Sequence, residues 1–403
     1  MTTDVSTAGT GSAVWLREED CRLDDFRALV EQTTTTRDVP YADSIVDNVP
    51  VYDCAALRRH AAASDGRRAV QAELAHVLLD GPGLAVFRGG FEDQSVVDDA
   101  TEVFFGLVDD QRREGRASGD HYAKPGANDR VWNALEKLAL RAPSAFARYY
   151  ANDIIPLVAT AWLGPAYQVT SQINVVNPGG AAQSPHRDYH LGFVTNDVAE
   201  RYPVHAHRLS PVLTLQGAIA HCDMPVETGP TMYLPYSQRY NAGFLAWRRP
   251  EFAAYFDSHR VQLPMGTGDI VFLSPALFHA AGHNRSSDTK RIVNLLQISS
   301  AFGRAMESID RERMSTALFP VLLELRATGV PDDALGNVIA ASSEGYAFPT
   351  NLDHEPPIGG LAPPSQADLV WHAVTERWDV TRLADELAAH TRRRRTDDCS
   401  AAE

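Results

Sequence analysis

The sequence predicts a mainly β core of the sandwich or jelly-roll kind, flanked by helices on both sides in the chain. Three observations lead there. From Tyr167 to about Ala301 short apolar strands alternate with turns rich in Gly, Pro and Asn. Helical periodicity dominates before and after that stretch. Residues of matching chemistry lie far apart, Asp188 preceding His279 by 91 residues, so the fold must return the chain to the same place.

Residues 1–13, rich in Thr, Gly and Ser, are expected to be disordered. A helical N-terminal part follows over residues 14–165. Arg67 to Leu79 places Val70, Leu74, Val77 and Leu78 on one face, and Asp80-Gly81-Pro82-Gly83 stops the helix. Leu84 to Phe87 then reads as a short buried strand. Further helices fit Ser95 to Arg113 and Ala142 to Leu163, the latter stopped by Gly164-Pro165.

In the β core, residues 166–301, strands are expected at Gln168 to Val176, Pro211 to Ala220, Thr231 to Leu234, Arg260 to Leu263, Asp269 to Leu273 and Arg291 to Ser299. A helical extension over residues 302–390 carries helices at Ser315 to Thr328 and Gln366 to His390. Between them, the Pro- and Gly-rich loop 346–364 is a candidate lid. Residues 391–403 read as a disordered tail, its Arg392 to Arg395 run being a solvated helix end.

Composition narrows the function. The formal net charge is −15 and the pI near 5.4, against a nucleic-acid partner, which requires a basic face. Cys21, Cys54, Cys222 and Cys399 are scattered without metal-site spacing and read as reduced thiols. No signal peptide and no apolar run of spanning length is seen, so no membrane partner is expected and the location is read as cytoplasmic. The oligomeric state is left open.

The chemistry lies in Ser184-Pro185-His186-Arg187-Asp188-Tyr189-His190, in Leu277-Phe278-His279 and in Arg291. In an extended strand residues two apart share a face, so His186 and Asp188 converge on one ion. Two His and one carboxylate on one face of a metal leave the opposite positions open, the arrangement of non-haem Fe(II) oxygenases. Arg291, 12 residues after His279, is placed to return beside the metal, where a guanidinium holds a carboxylate by two parallel hydrogen bonds. A lone His-x-Asp is weak; the ordered context of His279 strengthens it.

That context resembles a known family. His-x-Asp is followed in order by Glu227-Thr228-Gly229-Pro230, by Leu234-Pro235-Tyr236-Ser237-Gln238-Arg239, by Gly268-Asp269, by His279-x-x-Gly-x-Asn-x-Ser and by Arg291. The chain is similar in this to the phytanoyl-CoA dioxygenase family, over about Gln172 to Ser299 and more weakly over Asp80 to Phe91. The resemblance implies a double-stranded β-helix (jelly roll, cupin-like) with Fe(II), 2-oxoglutarate and O2 as cofactor and co-substrates. It implies His186, Asp188 and His279 as iron ligands and Arg291 as partner of the distal 2-oxoglutarate carboxylate. Asn174 and Ser286 fall at positions implying co-substrate contacts.

Three departures stand out. Lys290 occupies the position many relatives give to the anchoring Arg, and is a second candidate anchor. Tyr236-Ser237-Gln238 stands where relatives often have Gly-Ser-His. Gln216 lies on a strand that often carries an aromatic, and is expected to supply a polar contact.

A small-molecule substrate is expected against Gln172, Tyr189, His190, Phe193 and Trp132. His190 reads either as a fourth ligand or as a pocket residue, the second preferred because a fourth ligand blocks the position O2 needs. His205, His207, His221 and His283 read as packing or surface residues. The segment from His121-Tyr122-Ala123-Lys124 to Asn133 reads as a pocket mouth, with Lys124 a cationic contact, or as an ordinary loop.

Overall fold

The computed structural model describes residues 14–115 and 127–396. Its strands are β1 (Ser44–Val46), β2 (Val49–Asp53), β3 (Leu84–Arg88), β4 (Asn128–Val131), β5 (Gln168–Val176), β6 (Thr214–Ala220), β7 (Met232–Leu234), β8 (Val261–Gln262), β9 (Ile270–Leu273), β10 (Phe278–Ala280) and β11 (Arg291–Ser299). Eight form one sheet in the order β1-β2-β3-β9-β6-β11-β5-β4, and three form a second in the order β10-β7-β8. All pairs are antiparallel except β2 with β3. The architecture is the expected jelly roll: a large sheet opposing a small one, with helices outside.

Strand periodicity assigns the two faces of the large sheet. Ile173, Val175, Leu215, Ile219, Ile270, Phe272, Ile292, Leu296 and Ile298 point outward into a core shared with the helices. Their alternates Ala218, Ala220, Val271, Leu273 and Val293 point inward, where they meet Tyr233 of the small sheet. Both faces are therefore covered, which explains why these strands read as continuous apolar runs rather than clean alternations.

Several expected elements differ. The single helix over 142–163 is two, Pro143–Tyr150 and Ile154–Leu163. Asn152 makes the break: its Oδ1 accepts from the backbone N–H groups of Ile154 and Ile155, and its Nδ2 donates to Gly90 O. Likewise 366–390 divides into Gln366–Glu376 and Val380–Arg393, with Arg377 left-handed at φ 54° and Asp379 capping the second helix. That helix also passes His390 into the expected tail, where Arg393 pairs with Glu355 and Arg394 donates to Tyr346 O and Ala347 O. The helix Val204–Val212 absorbs Pro211 and Val212, so β6 starts only at Thr214. The N-terminal part adds four strands to the large sheet rather than one, and Asn128–Val131 is a strand rather than turn-rich loop. Residues 1–13 and Lys124 lie outside the described residues. Among the described residues no helix is long and apolar enough to cross a membrane.

Candidate active site

His186 and His279 meet in an isolated antiparallel bridge, each backbone N–H donating to the other's carbonyl at 3.0 and 3.2 Å. Asp188 continues the pairing through its N–H to Pro275 O at 3.0 Å. Extended backbone here sends His186 and Asp188 to one side and Arg187 to the other. Arg187 is fully buried: its Nη2 donates to Ser237 O and Tyr240 O, and its guanidinium stands 5.1 Å from the rings of both Phe244 and Phe278. Burial without an acid partner pushes its pKa down to about 9. It pins the strand that carries both ligands. Tyr189 and His190 then take positive φ, turning the chain away.

The ligand atoms of His186, Asp188 and His279 lie within 4.8 Å of one another. Nδ1 of His186 bonds Ser184 O and Nδ1 of His279 bonds Leu277 O, each at 2.9 Å. A carbonyl only accepts, so both Nδ1 atoms carry a proton and both Nε2 atoms are the ones turned toward Asp188 and left for a metal. His279 Nε2 is 3.2 Å, and His186 Nε2 3.8 Å, from an oxygen of Asp188. His279 Nε2 is within hydrogen-bond distance of the Asp188 carboxylate, which outweighs burial and raises the His279 pKa, and two imidazoles converging with one carboxylate are the donor set of a mononuclear Fe(II) site. The residues fit the metal. Burial alone would raise the Asp188 carboxyl; His186, His279 and the 2.6 Å hydrogen bond from Gln216 Nε2 hold it well below the usual range instead.

A cavity of about 130 Å³ opens on the triad between the sheets. Arg291 lines it, 3% exposed, with Nε and Nη1 buried and unpartnered, and burial brings its pKa down to about 10. A buried cation with free donors aimed into a cavity fits a carboxylate such as the distal end of 2-oxoglutarate. Lys290 is solvent-exposed and outside the lining, since successive residues of a strand face opposite ways.

The other expected site residues divide. Asn174, Gln216, Gln172, Phe193 and Trp132 all line the cavity. Tyr189, His190 and Ser286 do not. Tyr189 is buried behind the wall with its hydroxyl on Gln297 Oε1, so it acts on the cavity only through that amide. His190 bonds Ser210 Oγ through Nδ1 at 2.9 Å and belongs neither to the group of converging ligand atoms nor to the lining. Ser286 bonds Asn284 Oδ1 and Thr289 O, closing its own turn. The loop 346–364 contributes nothing to the lining and is tied to the C-terminal helix, so its expected lid role has no structural footing. Arg130 falls in the segment read as a pocket mouth, while sequence reasoning missed Gln183, Tyr233, Gln297 and Met306 of the lining. Gln297 was findable, being six residues past Arg291 and on the same strand face.

The phytanoyl-CoA dioxygenase (PhyH) family model matches residues 49–292. Among solved structures, the non-haem α-ketoglutarate-dependent epimerase SnoN from nogalamycin biosynthesis is similar at 20% identity, over 62% of this chain and 82% of that one, with a TM-score of 0.40. The α-ketoglutarate-dependent carbocyclase SnoK from nogalamycin biosynthesis is similar at 19% identity, over 60% and 88%, with a TM-score of 0.39. A search of curated proteins finds no match. Since the family match spans more than half the sequence, including the strands and turns that carry His186, Asp188, His279 and Arg291, the chain belongs to the phytanoyl-CoA dioxygenase family of non-haem dioxygenases dependent on Fe(II) and 2-oxoglutarate.

Proposed function

We propose that this dioxygenase oxidises an unactivated C–H bond of a small molecule, with hydroxylation the default outcome and secondary-metabolite tailoring the setting. Desaturation, epoxidation and ring rearrangement are outcomes open to the same site. The observation that carries this reading is the cavity between the sheets, which holds the triad, the free donors of Arg291 and a separate polar wall in one volume. A cavity of about 130 Å³ suits a small molecule, whereas a protein-modifying oxygenase needs a groove for a chain.

In this reading His186, Asp188 and His279 hold Fe(II) through Nε2, a carboxylate oxygen and Nε2. Arg291 fixes 2-oxoglutarate by its distal carboxylate. When bound, the iron and 2-oxoglutarate supply the activation of O2, and succinate and CO2 are released. Gln216 orients the Asp188 carboxylate, and the apolar wall of Met224, Val271, Leu273, Val293 and Leu295 keeps water from the reacting carbon. An Asp in this position keeps a protein ligand on the face that a halogenase leaves to chloride. A non-catalytic barrel has no use for a metal-ligand triad beside a buried guanidinium with two unpartnered donors.

Anaerobic titration with Fe(II) and 2-oxoglutarate tests the proposal. A visible metal-to-ligand charge-transfer band that His279→Ala abolishes supports it. Iron binding without the band removes the co-substrate assignment.

A further inference from the structure

Arg187 stands in the chain between two iron ligands and faces away from both. Its side chain is 2% exposed, and its guanidinium lies 5.1 Å from the rings of Phe244 and Phe278 and against Gly243, where a Cβ has no room. Nη2 donates to the carbonyls of Ser237 and Tyr240, while Nε is buried without a hydrogen bond. Its electrostatic neighbours are Tyr240 and Cys21, and no carboxylate is among them. Pinning two carbonyls asks only for N–H donors, which a neutral amide also carries. A full charge left unpaired in an apolar slot is costly to hold there. Its field, however, is screened little by water or salt, so it reaches the other side of the strand.

Resting on the oxygenase reading above, we infer that Arg187 tunes the metal as well as pinning its strand: the buried positive charge favours ferrous over ferric iron in the triad. A fixed positive charge disfavours the more positive oxidation state, so the one-electron midpoint potential rises and the iron is kept in the form that the reaction uses. For side chains of these lengths on opposite sides of one backbone, the guanidinium and the triad stand roughly 12 Å apart. At an effective dielectric of about 20, one unit charge at that distance changes the Fe(III)-to-Fe(II) preference about ten-fold. Arg291 carries the same sign from inside the cavity, but the distal carboxylate of 2-oxoglutarate neutralises it in the loaded site. Arg187 has no such partner, so its charge stays uncompensated when the co-substrate is bound.

The test uses the full chain loaded anaerobically with Fe(II) and 2-oxoglutarate. The charge-transfer band reports the loaded site, so its absence counts against the oxygenase reading itself. With the band present, a mediated redox titration follows the Fe(III) signal by electron paramagnetic resonance, one electron passing between protein and mediator. Arg187→Met fills the slot between the two rings with an apolar chain and removes the charge. It should lower the midpoint potential by about 59 mV, the one-electron equivalent of ten-fold. Arg187→Gln keeps an N–H donor for the carbonyls; it should lower the midpoint equally, and it carries the test where the Met variant does not fold. Gly243→Ala disturbs the same packing but keeps the charge, so its Fe(III)-to-Fe(II) preference should stay within about two-fold of the wild type. A midpoint unmoved by loss of the charge overturns the inference with the band still standing. So does a midpoint that falls as far in Gly243→Ala, since packing alone would then set it.

Discussion

His221 shows how tightly single side chains are committed away from the metal. Its Nδ1 is 2.7 Å from Thr101 Oγ1, its Nε2 is 2.8 Å from Tyr149 OH, and burial takes its pKa down to about 3. A buried histidine kept neutral binds its proton more readily in the unfolded chain. Stability from this group is therefore complete above the unfolded pKa near 6.5 and declines as the pH falls toward the folded value. At pH 5 the loss is about 2 kcal/mol. Urea melts of the wild type and His221→Gln across pH 5–7 should show that slope flattened in the variant. At the other end of the cavity, Arg291→Ala should weaken 2-oxoglutarate binding by about two orders of magnitude, in keeping with a buried charge-assisted pair. Lys290→Ala should leave it within about two-fold, because its side chain is on the solvent face. Titration of the charge-transfer band compares the two.

Among the elements, the strand through Arg187 governs the metal site from behind. A Cβ at Gly243 would collide with the Arg187 guanidinium, so that position has no room for alanine. Gly243→Ala should cost about 2 kcal/mol or more and weaken Fe(II) binding, since the pinned strand carries two ligands. Gly336, inside the helix Asp332–Ser342, has nothing within 4 Å of its would-be Cβ. Gly336→Ala should raise stability by about 0.5–1 kcal/mol without touching iron affinity. Thermal melts and Fe(II) titrations of the pair check both.

At this scale the sequence was most legible where period and chemistry coincided. The helix Ser95–Arg113 and the strands β5 and β11 fall at their expected bounds, and His186, Asp188 and His279 converge as their spacing implied. The break at Asn152 has a local capping half, to the N–H groups of Ile154 and Ile155, and a half that reaches Gly90 and leaves no local signature. The same holds for His190 and Ser286: each stands beside a motif, and a nearer partner, Ser210 or Asn284, holds it.

Taken as a whole, the molecule is a sheet with two covered faces, one given to helices and one to the cavity. Helix packing on the outer face was legible from apolar periodicity, but the number of N-terminal strands was not, because β1 and β2 are short and gain their apolar surroundings only from the sheet they join. Metal binding should couple to the stability of this whole unit, since the triad joins a segment outside the named strands to β10 of the small sheet. Fe(II) at about a hundred times its dissociation constant should stabilise the fold by roughly 3 kcal/mol, and a chelator should reverse it. Differential scanning calorimetry with and without chelator reads this directly.

The strand β11 has one more consequence. Arg291 stands at its start and Gln297 near its end, with Val293 and Leu295 facing the same cavity between them. A single continuous strand thus acts as a ruler: it sets the spacing between the carboxylate grip and the polar wall at about 20 Å of backbone, independent of any loop. One residue inserted or deleted between Arg291 and Gln297 would exchange the faces on one side of the change, turning one end of the gauge into the helices while the other stays in the cavity. Evolution of new specificity in this scaffold is therefore expected to proceed by changing what the ruler's marks are made of, not where they stand.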